Sequence, residues 1–211
     1  SRLTGVARAQ VAADLAMIRI ADRNPEGALR IINDTRIADL PPQLERQRRV
    51  LEARALIDAG RQNLAVDLIS RLQGRDADLL RVDGYWKSKN YGRAAGLLEV
   101  MHAPGTDVQQ MTRQARLNVI KAAVGYVLAG DKLGVSRLRA KFSAQMANSA
   151  EWPLFDYVTQ DVAPTNPEFR KVAREVAGID SLEAFLASYR DLYASQDSVL
   201  PNAPRASGNE A

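Results

Sequence analysis

The segment YWKSKNYGRAA, residues 85–95, contains the pattern that decides the fold. Aromatic residues close one helical stretch, Lys89 and its neighbours interrupt it, and Ala94 follows on the next stretch. Apolar and small residues three and four positions apart predict a helix on each side of the interruption. The segment ALIDAGRQNLAVDLI, residues 55–69, has the same layout. Both segments therefore predict a pair of helices joined by a short turn.

This spacing occurs four times along the chain. A turn residue is followed five positions later by a small or β-branched residue in the pairs Arg23/Ala28, Gly60/Ala65, Lys89/Ala94 and Gly130/Val135, which lie 37, 29 and 41 residues apart. Small or apolar residues precede each turn (Ala16, Ala53, Val82, Ala123) and larger apolar residues follow it (Ile32, Ile69, Leu98, Leu138). Small residues let helix axes approach closely. The pattern predicts four hairpins that cover one another's apolar faces.

Helix breakers between the periodic stretches set the expected bounds of the helices. We predict helices over residues 5–22, 25–34, 42–59, 62–73, 76–89, 91–101, 106–129, 132–146, 151–160, 167–177 and 181–194. Asn24 and Asn166, each before a proline, are expected N-caps. Asp180 with Glu183 has the spacing of a capping box. Residues 195–211 are rich in Ser, Pro, Asn and Gly and predict a disordered tail.

The hairpin pattern resembles the tetratricopeptide repeat (TPR), a helix–turn–helix unit of roughly 34 residues. The resemblance covers roughly residues 5–147, and residues 85–95 match it best through their aromatic and small positions. It implies an all-α fold, an α-solenoid of about four antiparallel TPR-like helix hairpins in residues 1–147. We expect residues 148–194 to form C-terminal capping helices that cover the end of the stack.

The charge of the chain changes sign between two adjacent segments. The 211 residues carry a net charge of +4, yet residues 106–149 hold 7 basic and 2 acidic side chains and residues 150–211 hold 5 and 10. These opposite charges predict that the cap docks on the fourth hairpin. We therefore do not expect a chain that neutralises itself in this way to bind nucleic acid.

The residue inventory excludes most familiar active sites. There is no Cys and one His, so the chain has no thiol nucleophile, no Cys-based zinc site and no pair of His ligands. The sequence also lacks the glycine-containing motifs GxGxxG and GxxxxGK[ST] of phosphate-binding loops and the motif GxSxG of hydrolases. We read His102 as a cation at a helix C-terminus and Asp76 as an N-cap. We therefore predict no catalytic, cofactor-binding or metal-binding residues; an α-helical enzyme using scattered carboxylates is the rival hypothesis.

The resemblance implies a non-enzymatic module that binds a protein or peptide segment and helps to assemble a larger complex. Guanidinium groups bind carboxylates bidentately, and exposed aromatic residues anchor partners. The candidate partner-binding residues are Arg46, Arg49, Arg81, Trp86, Arg113 and Arg116. The alternative for the arginines is a solvated helix face, and the alternative for Trp86 is a place in the core, where Tyr85 and Tyr126 are also expected.

A second functional hypothesis is a structural segment of a longer solenoid. The chain starts at Ser1 without Met and enters helical sequence almost at once, which leads us to expect an upstream part and an apolar surface near residues 1–22. Such a surface would pack intramolecularly or form a homo-oligomer. The sequence contains no run of eighteen apolar residues, so we predict no membrane-embedded segment. A chain without Cys is compatible with both the cytoplasm and the cell envelope.

Overall fold

A computed structural model of the chain describes residues 5–104, 111–178 and 181–193. All regular structure within these ranges is helical, in agreement with the predicted all-α class. The eleven helices of the described residues are α1 (Gly5–Ala21), α2 (Pro25–Asp34), α3 (Pro42–Asp58), α4 (Gln62–Leu68), α5 (Arg75–Lys87), α6 (Tyr91–Met101), α7 (Arg113–Ala129), α8 (Lys132–Met146), α9 (Trp152–Thr159), α10 (Pro167–Ala177) and α11 (Ser181–Tyr193). The predicted tail, residues 195–211, lies outside the described residues.

Two helices are at least five residues shorter than predicted. Helix α4 ends at Leu68, where residue 73 was expected, and the chain after it is held by Arg81, which donates to the carbonyl oxygens of Ile69 (2.8 Å) and Leu72. Helix α7 begins at Arg113, where the Thr112 hydroxyl caps it by accepting from the backbone N–H of residue 115 at 3.2 Å. The expected start, residue 106, lies outside the described residues. Hydrogen bonds from Arg81 and to Thr112 therefore limit both helices to fewer residues than the apolar periodicity predicted.

Asparagine caps two helices as predicted. The Asn24 side chain accepts from the backbone N–H of Gly27 at 2.9 Å, and the Asn166 side chain accepts from that of Glu168 at 2.9 Å. The prediction for Asp76 is wrong: Gly74 is the N-cap of α5, and Asp76 is buried in the first turn of that helix. The predicted capping residue Asp180 lies outside the described residues.

The four predicted turn residues share one backbone conformation. Arg23, Gly60, Lys89 and Gly130 have φ values of 55°, 79°, 61° and 70°, in the left-handed region. In each turn, the N–H of the next residue donates to the carbonyl oxygen five residues earlier, at 2.8 to 2.9 Å. The N–H of the turn residue itself bonds three residues back. These paired bonds form a Schellman motif, which ends one helix and starts the next within three residues.

Lys89→Gly is expected to stabilise the chain. Lys89 has a side chain in a conformation that costs an L-residue about 1 kcal/mol, and glycine adopts it without a steric penalty. The greater entropy of glycine in the unfolded chain offsets part of this, leaving a gain of about 0.5 kcal/mol. Urea unfolding measures the change. Gly130→Lys is the reciprocal control and is expected to lower the free energy of unfolding. If the two substitutions do not change the free energy of unfolding in opposite directions, the strain argument is wrong.

The first eight helices pack in chain order. Each helix contacts the next along the sequence, and α3 also contacts both α1 and α5. The small and apolar residues that flank the four turns are buried, as the spacing predicted: Ala16, Ile32, Ala53, Ile69, Val82, Leu98, Ala123 and Leu138 are all at most 4% exposed. The buried side chains form two clusters, one built mainly on α1 to α5 and one on α5 to α10.

Glycine allows close packing between successive hairpins. A Cβ atom at Gly84 of α5 would lie 2.7 Å from a methyl carbon of Val66 on α4. At Gly125 of α7 it would lie 3.0 Å from the carbonyl oxygen of Tyr91 on α6. Both glycines stand five residues before a turn residue, which places the second helix of one hairpin against the first helix of the next.

The C-terminal helices divide between the two clusters. Helix α9 packs on α7 and α8, with Phe155 fully buried and its ring 6.0 Å from that of Trp152. Phe169 of α10 is also buried in this second cluster. Helix α11 does not dock on the fourth hairpin, contrary to prediction. Its aromatic side chains join the first cluster instead, because α3 and α5 offer both apolar surface and hydrogen-bonding partners there.

Candidate functional site

The candidate site is the surface of α3 and α5 on which α11 lies, which we name the α3/α5 groove. One face of α11 is buried there, formed by residues spaced three and four apart: Leu182, Phe185, Tyr189 and Tyr193. The Phe185 and Tyr189 rings are 6.0 Å apart, and those of Tyr189 and Tyr193 are 4.8 Å apart. The groove thus holds an amphipathic helix through a continuous row of aromatic side chains.

Arg54 is the central polar group of the groove. Only 3% of its side chain is exposed, and its guanidinium donates to both carboxylate oxygens of Asp58, each at 2.7 Å. It also donates to Asp83 on α5 and to the Ser181 hydroxyl on α11, both at 3.1 Å. The guanidinium carbon lies 5.5 Å from the centre of the Phe185 ring. One arginine therefore joins α3, α5 and the first two turns of α11.

Further polar contacts follow the rest of α11. Ser181 donates to Asp83 at 2.5 Å, and at the other end Gln47 donates to the Tyr189 hydroxyl at 2.6 Å. Asp76 accepts from Tyr193 at 3.4 Å. Burial raises the pKa of Tyr193, and the nearby carboxylate of Asp76 raises it further, so the phenol stays protonated as a donor.

These contacts fix the direction of α11. Its first residue meets Arg54 and Asp83 near the ends of α3 and α5, and its last residue meets Asp76 at the start of α5. Helix α11 therefore runs antiparallel to both helices of the groove. The Gln47–Tyr189 bond joins residues 142 positions apart, so the site exists only in the folded chain.

An apolar cleft of about 130 Å³ remains beside α11. It lies between α5, α7 and α11 and is lined by apolar side chains such as Leu79 and Leu117, with Lys121 at the polar side. The Lys121 ammonium is 4.9 Å from the centre of the Trp86 ring. Burial lowers the pKa of Lys121, the carboxylate of Asp83 opposes this, and the ammonium of Lys87 adds to it. The cleft is a space that the groove leaves unfilled.

The structure does not bring the six predicted partner-binding residues onto one surface. Arg46 lies at the groove, where it donates to Asp76 at 2.6 Å. Arg81 is mostly buried against the chain after α4. Arg113 and Arg116 share Glu151, at 3.4 and 2.6 Å, and Arg49 pairs with Glu45 on its own helix at 2.5 Å. Trp86 is 8% exposed and meets the Tyr91 ring edge-on with 5.3 Å between centroids.

A second polar cluster, centred on the buried Glu99, lies between α6, α7 and α8. Glu99 accepts from the Tyr126 hydroxyl at 2.6 Å and pairs with Arg137 at 3.1 Å. Burial raises the pKa of Glu99, but the hydrogen bonds from Arg137 and Tyr126 outweigh it and the net shift is downward. Burial and the bond to Glu99 raise the pKa of Tyr126 to about 12. All of these groups are paired with one another, and the cluster joins three helices.

His102 ends α6, as its position in the sequence predicted, but not as a cation. Burial lowers the pKa of the imidazole, and the charge of Arg75 lowers it further. The neutral ring contacts the Asn118 amide at 3.0 Å. His102 therefore helps to pack α7 against α6 at neutral pH.

The described residues contain no group of three or more His, Asp or Glu side chains placed to hold a metal ion. Over the same part of the chain, every helix is too short or too polar to cross a bilayer.

Sequence reasoning selected Arg46, which lies at the site, but not Arg54, Asp83 or Gln47. Arg54, Asp83 and Gln47 are charged or polar positions on helices, and their spacing does not distinguish them from a solvated face. The one signal in the sequence was the apolar face of α11, which indicated that this helix packs against another surface of the chain. Nothing in the pattern indicated that the contacts of α11 on this surface would lie 98 to 142 residues away in the chain.

Comparisons of the chain with models of known protein families, with curated proteins and with solved structures gave no match.

Proposed function

We propose that this chain is a non-enzymatic protein-interaction module, an α-solenoid of about four TPR-like hairpins that binds an amphipathic helix of another protein in the α3/α5 groove. The single observation that carries the proposal is the seating of α11. A helix with apolar residues three and four apart lies in this groove, and hydrogen bonds hold both of its ends. Helix-in-groove binding is a common mode of peptide recognition.

The four equivalent turns support the repeat architecture within this proposal. Turns of one geometry, followed at the same distance by a buried small or β-branched residue, produce hairpins that stack in one direction. Stacked hairpins place their first helices, here α1, α3, α5 and α7, along one side. The groove and the adjoining cleft lie among α3, α5 and α7.

Site-specific photocrosslinking tests the proposal. Gln114 is exposed on α7 and lines the cleft beside α11, whereas Val100 is 71% exposed on α6. We would replace each in turn by benzoylphenylalanine in the full chain and irradiate it in a lysate of the source organism. The proposal expects a crosslinked protein at Gln114 whose attached peptide is an amphipathic helix, reproduced with the purified partner. The same crosslinks at Val100, or none at Gln114, would overturn it.

Self-association through α1 is a second candidate function, favoured by an exposed apolar stripe. Val11, Leu15 and Ile18 lie on one face of α1 and are 42%, 46% and 55% exposed. Counted back from the turn, Ile18 corresponds to Ala55, Gly84 and Gly125, which are all buried. Gly84 and Gly125 face the preceding hairpin. The stripe is thus the kind of surface that another helix covers, and a second copy of the chain supplies one.

Sedimentation velocity tests this candidate. The parent chain is expected to associate as its concentration rises, and a Leu15→Glu, Ile18→Glu variant to remain monomeric, because charge on the stripe opposes its burial. Leu133→Glu is the control, since Leu133 is 81% exposed on α8 and outside the stripe. A parent chain that stays monomeric at high concentration would exclude self-association through α1.

A further inference from the structure

Helix α11 fills the α3/α5 groove incompletely. The cleft of about 130 Å³ runs along its side, between α11 and α7. The α11 residues that line it include the small side chains Ser181, Ala184 and Ser188, and Leu117 of α7 lies across from them. The cleft opens to solvent: Ala184 is exposed in it, and Leu117 is only half-buried. A helix with larger apolar side chains at these positions would therefore make contacts that α11 lacks.

Helix α11 is also separate from the helices that precede it. Its buried residues belong to the first core cluster, whereas Phe155 of α9 and Phe169 of α10 belong to the second. Departure of α11 would uncover the α3/α5 groove without opening the core around α9 and α10. The helix thus has the position of a ligand rather than of a structural layer.

From this geometry we infer that α11 is a displaceable intramolecular occupant of the groove. The partner that displaces it is an amphipathic helix of another protein, with apolar residues at the spacing of Leu182, Phe185, Tyr189 and Tyr193. At the positions of Ala184 and Ser188 that helix carries bulky apolar side chains, which enter the cleft. This inference rests on the proposed function of the groove and names the class of its partner.

The tether determines what a displacing helix must achieve. A segment joined to its site by a short linker acts at an effective concentration on the order of millimolar. A separate helix with the sequence of α11 therefore displaces it only at about that concentration. Filling the cleft is expected to strengthen binding roughly tenfold to a hundredfold, as cavity-filling contacts do. A helix that fills the cleft is then expected to displace α11 at a concentration of tens of micromolar.

Fluorescence anisotropy with the full chain tests the inference. The probe is a labelled synthetic peptide of residues 181–193 carrying Ala184→Leu and Ser188→Leu. Its matched control carries Glu183→Leu and Ala187→Leu, which add the same side chains on the exposed face of the helix. We expect the probe to bind at least tenfold more tightly than the control and than the native-sequence peptide. Equal affinities for probe and control would overturn the inference.

Hydrogen exchange distinguishes displacement from binding beside α11. On addition of the probe, the amides of α11 are expected to lose protection while those of α9 keep it. If α11 keeps its protection, the peptide occupies only the cleft, and the inference is wrong. The inference is also wrong if sedimentation shows a dimer in which two copies of the chain exchange α11. Crosslinking of a partner at Gln114 with α11 still protected would leave the proposed function standing and refute displacement alone.

A change within the chain gives an independent readout. Tyr189→Ala removes a buried ring from α11 and is expected to raise the apparent affinity for the probe at least tenfold, because the internal competitor is weakened. Ala184→Leu with Ser188→Leu in the full chain is expected to lower it, because the internal occupant then fills the cleft. Circular dichroism confirms that each variant is folded. Unchanged affinity in both folded variants would contradict competition.

Discussion

Replacing Arg54 by Ala is expected to lower the free energy of unfolding by about 3–5 kcal/mol, the usual cost of breaking a buried ion pair from one side. The guanidinium is 3% exposed and is the closest cation to Asp83, whose own side chain is 9% exposed. Without it, the nearest ammonium to Asp83 is that of Lys87, at 3.9 Å. The Ser181 hydroxyl still donates to Asp83 at 2.5 Å, but a buried carboxylate whose nearest cation is this distant carries most of the cost.

Urea unfolding followed by circular dichroism measures this loss. Arg49→Ala is the matched control on the same helix, because Arg49 and Glu45 form an exposed pair, 44% and 49% accessible. Such pairs contribute about 0–1 kcal/mol. Variants of Arg54 and Arg49 that lose equal stability would show that the Arg54 network does not stabilise the groove. A second control, Arg54→Lys, keeps the charge but loses the two-pronged bond to Asp58 and is expected to fall between the two.

The contrast between Arg54 and Arg49 shows where sequence reasoning stops. Local patterns predicted the helices well, because periodicity, caps and turn residues act over a few positions; the four turns with positive φ are the clearest case. The burial of Arg54 depends on α11, which is more than 120 residues away in the chain. Sequence alone does not distinguish neighbouring arginines on one helix, because their burial depends on where the covering helix packs.

The docking of α11 was mispredicted for a related reason. Summed charges favoured the basic fourth hairpin, but charge sums average over tens of residues and ignore hydrogen-bond geometry. The groove offers α11 specific partners for its end residues, Arg54 and Asp83 for Ser181 and Asp76 for Tyr193. It also offers apolar surface for three aromatic rings. These short-range terms outweigh a diffuse attraction that salt screens.

Replacing Phe155 by Ala is expected to destabilise the whole chain by about 3–5 kcal/mol, as the loss of a fully buried ring does. Phe155 is 0% exposed, between α9 and the helices α7 and α8. Arg139 of α8 fastens the same helix by donating to the Thr159 hydroxyl at 2.6 Å and to the Asp156 carboxylate at 2.5 Å. Helix α9 is thus part of the second core, and its packing cannot fail alone.

Phe185→Ala is the informative counterpart, since it also truncates a buried ring, but on α11. If α11 is separable, this change raises hydrogen exchange at α11 while the urea midpoint of the rest of the chain moves little. Phe155→Ala should instead raise exchange throughout α7, α8 and α9. If both variants lower the global free energy of unfolding by similar amounts, α11 is an integral layer of the core. Only a detachable helix would confine the loss of protection to its own amides.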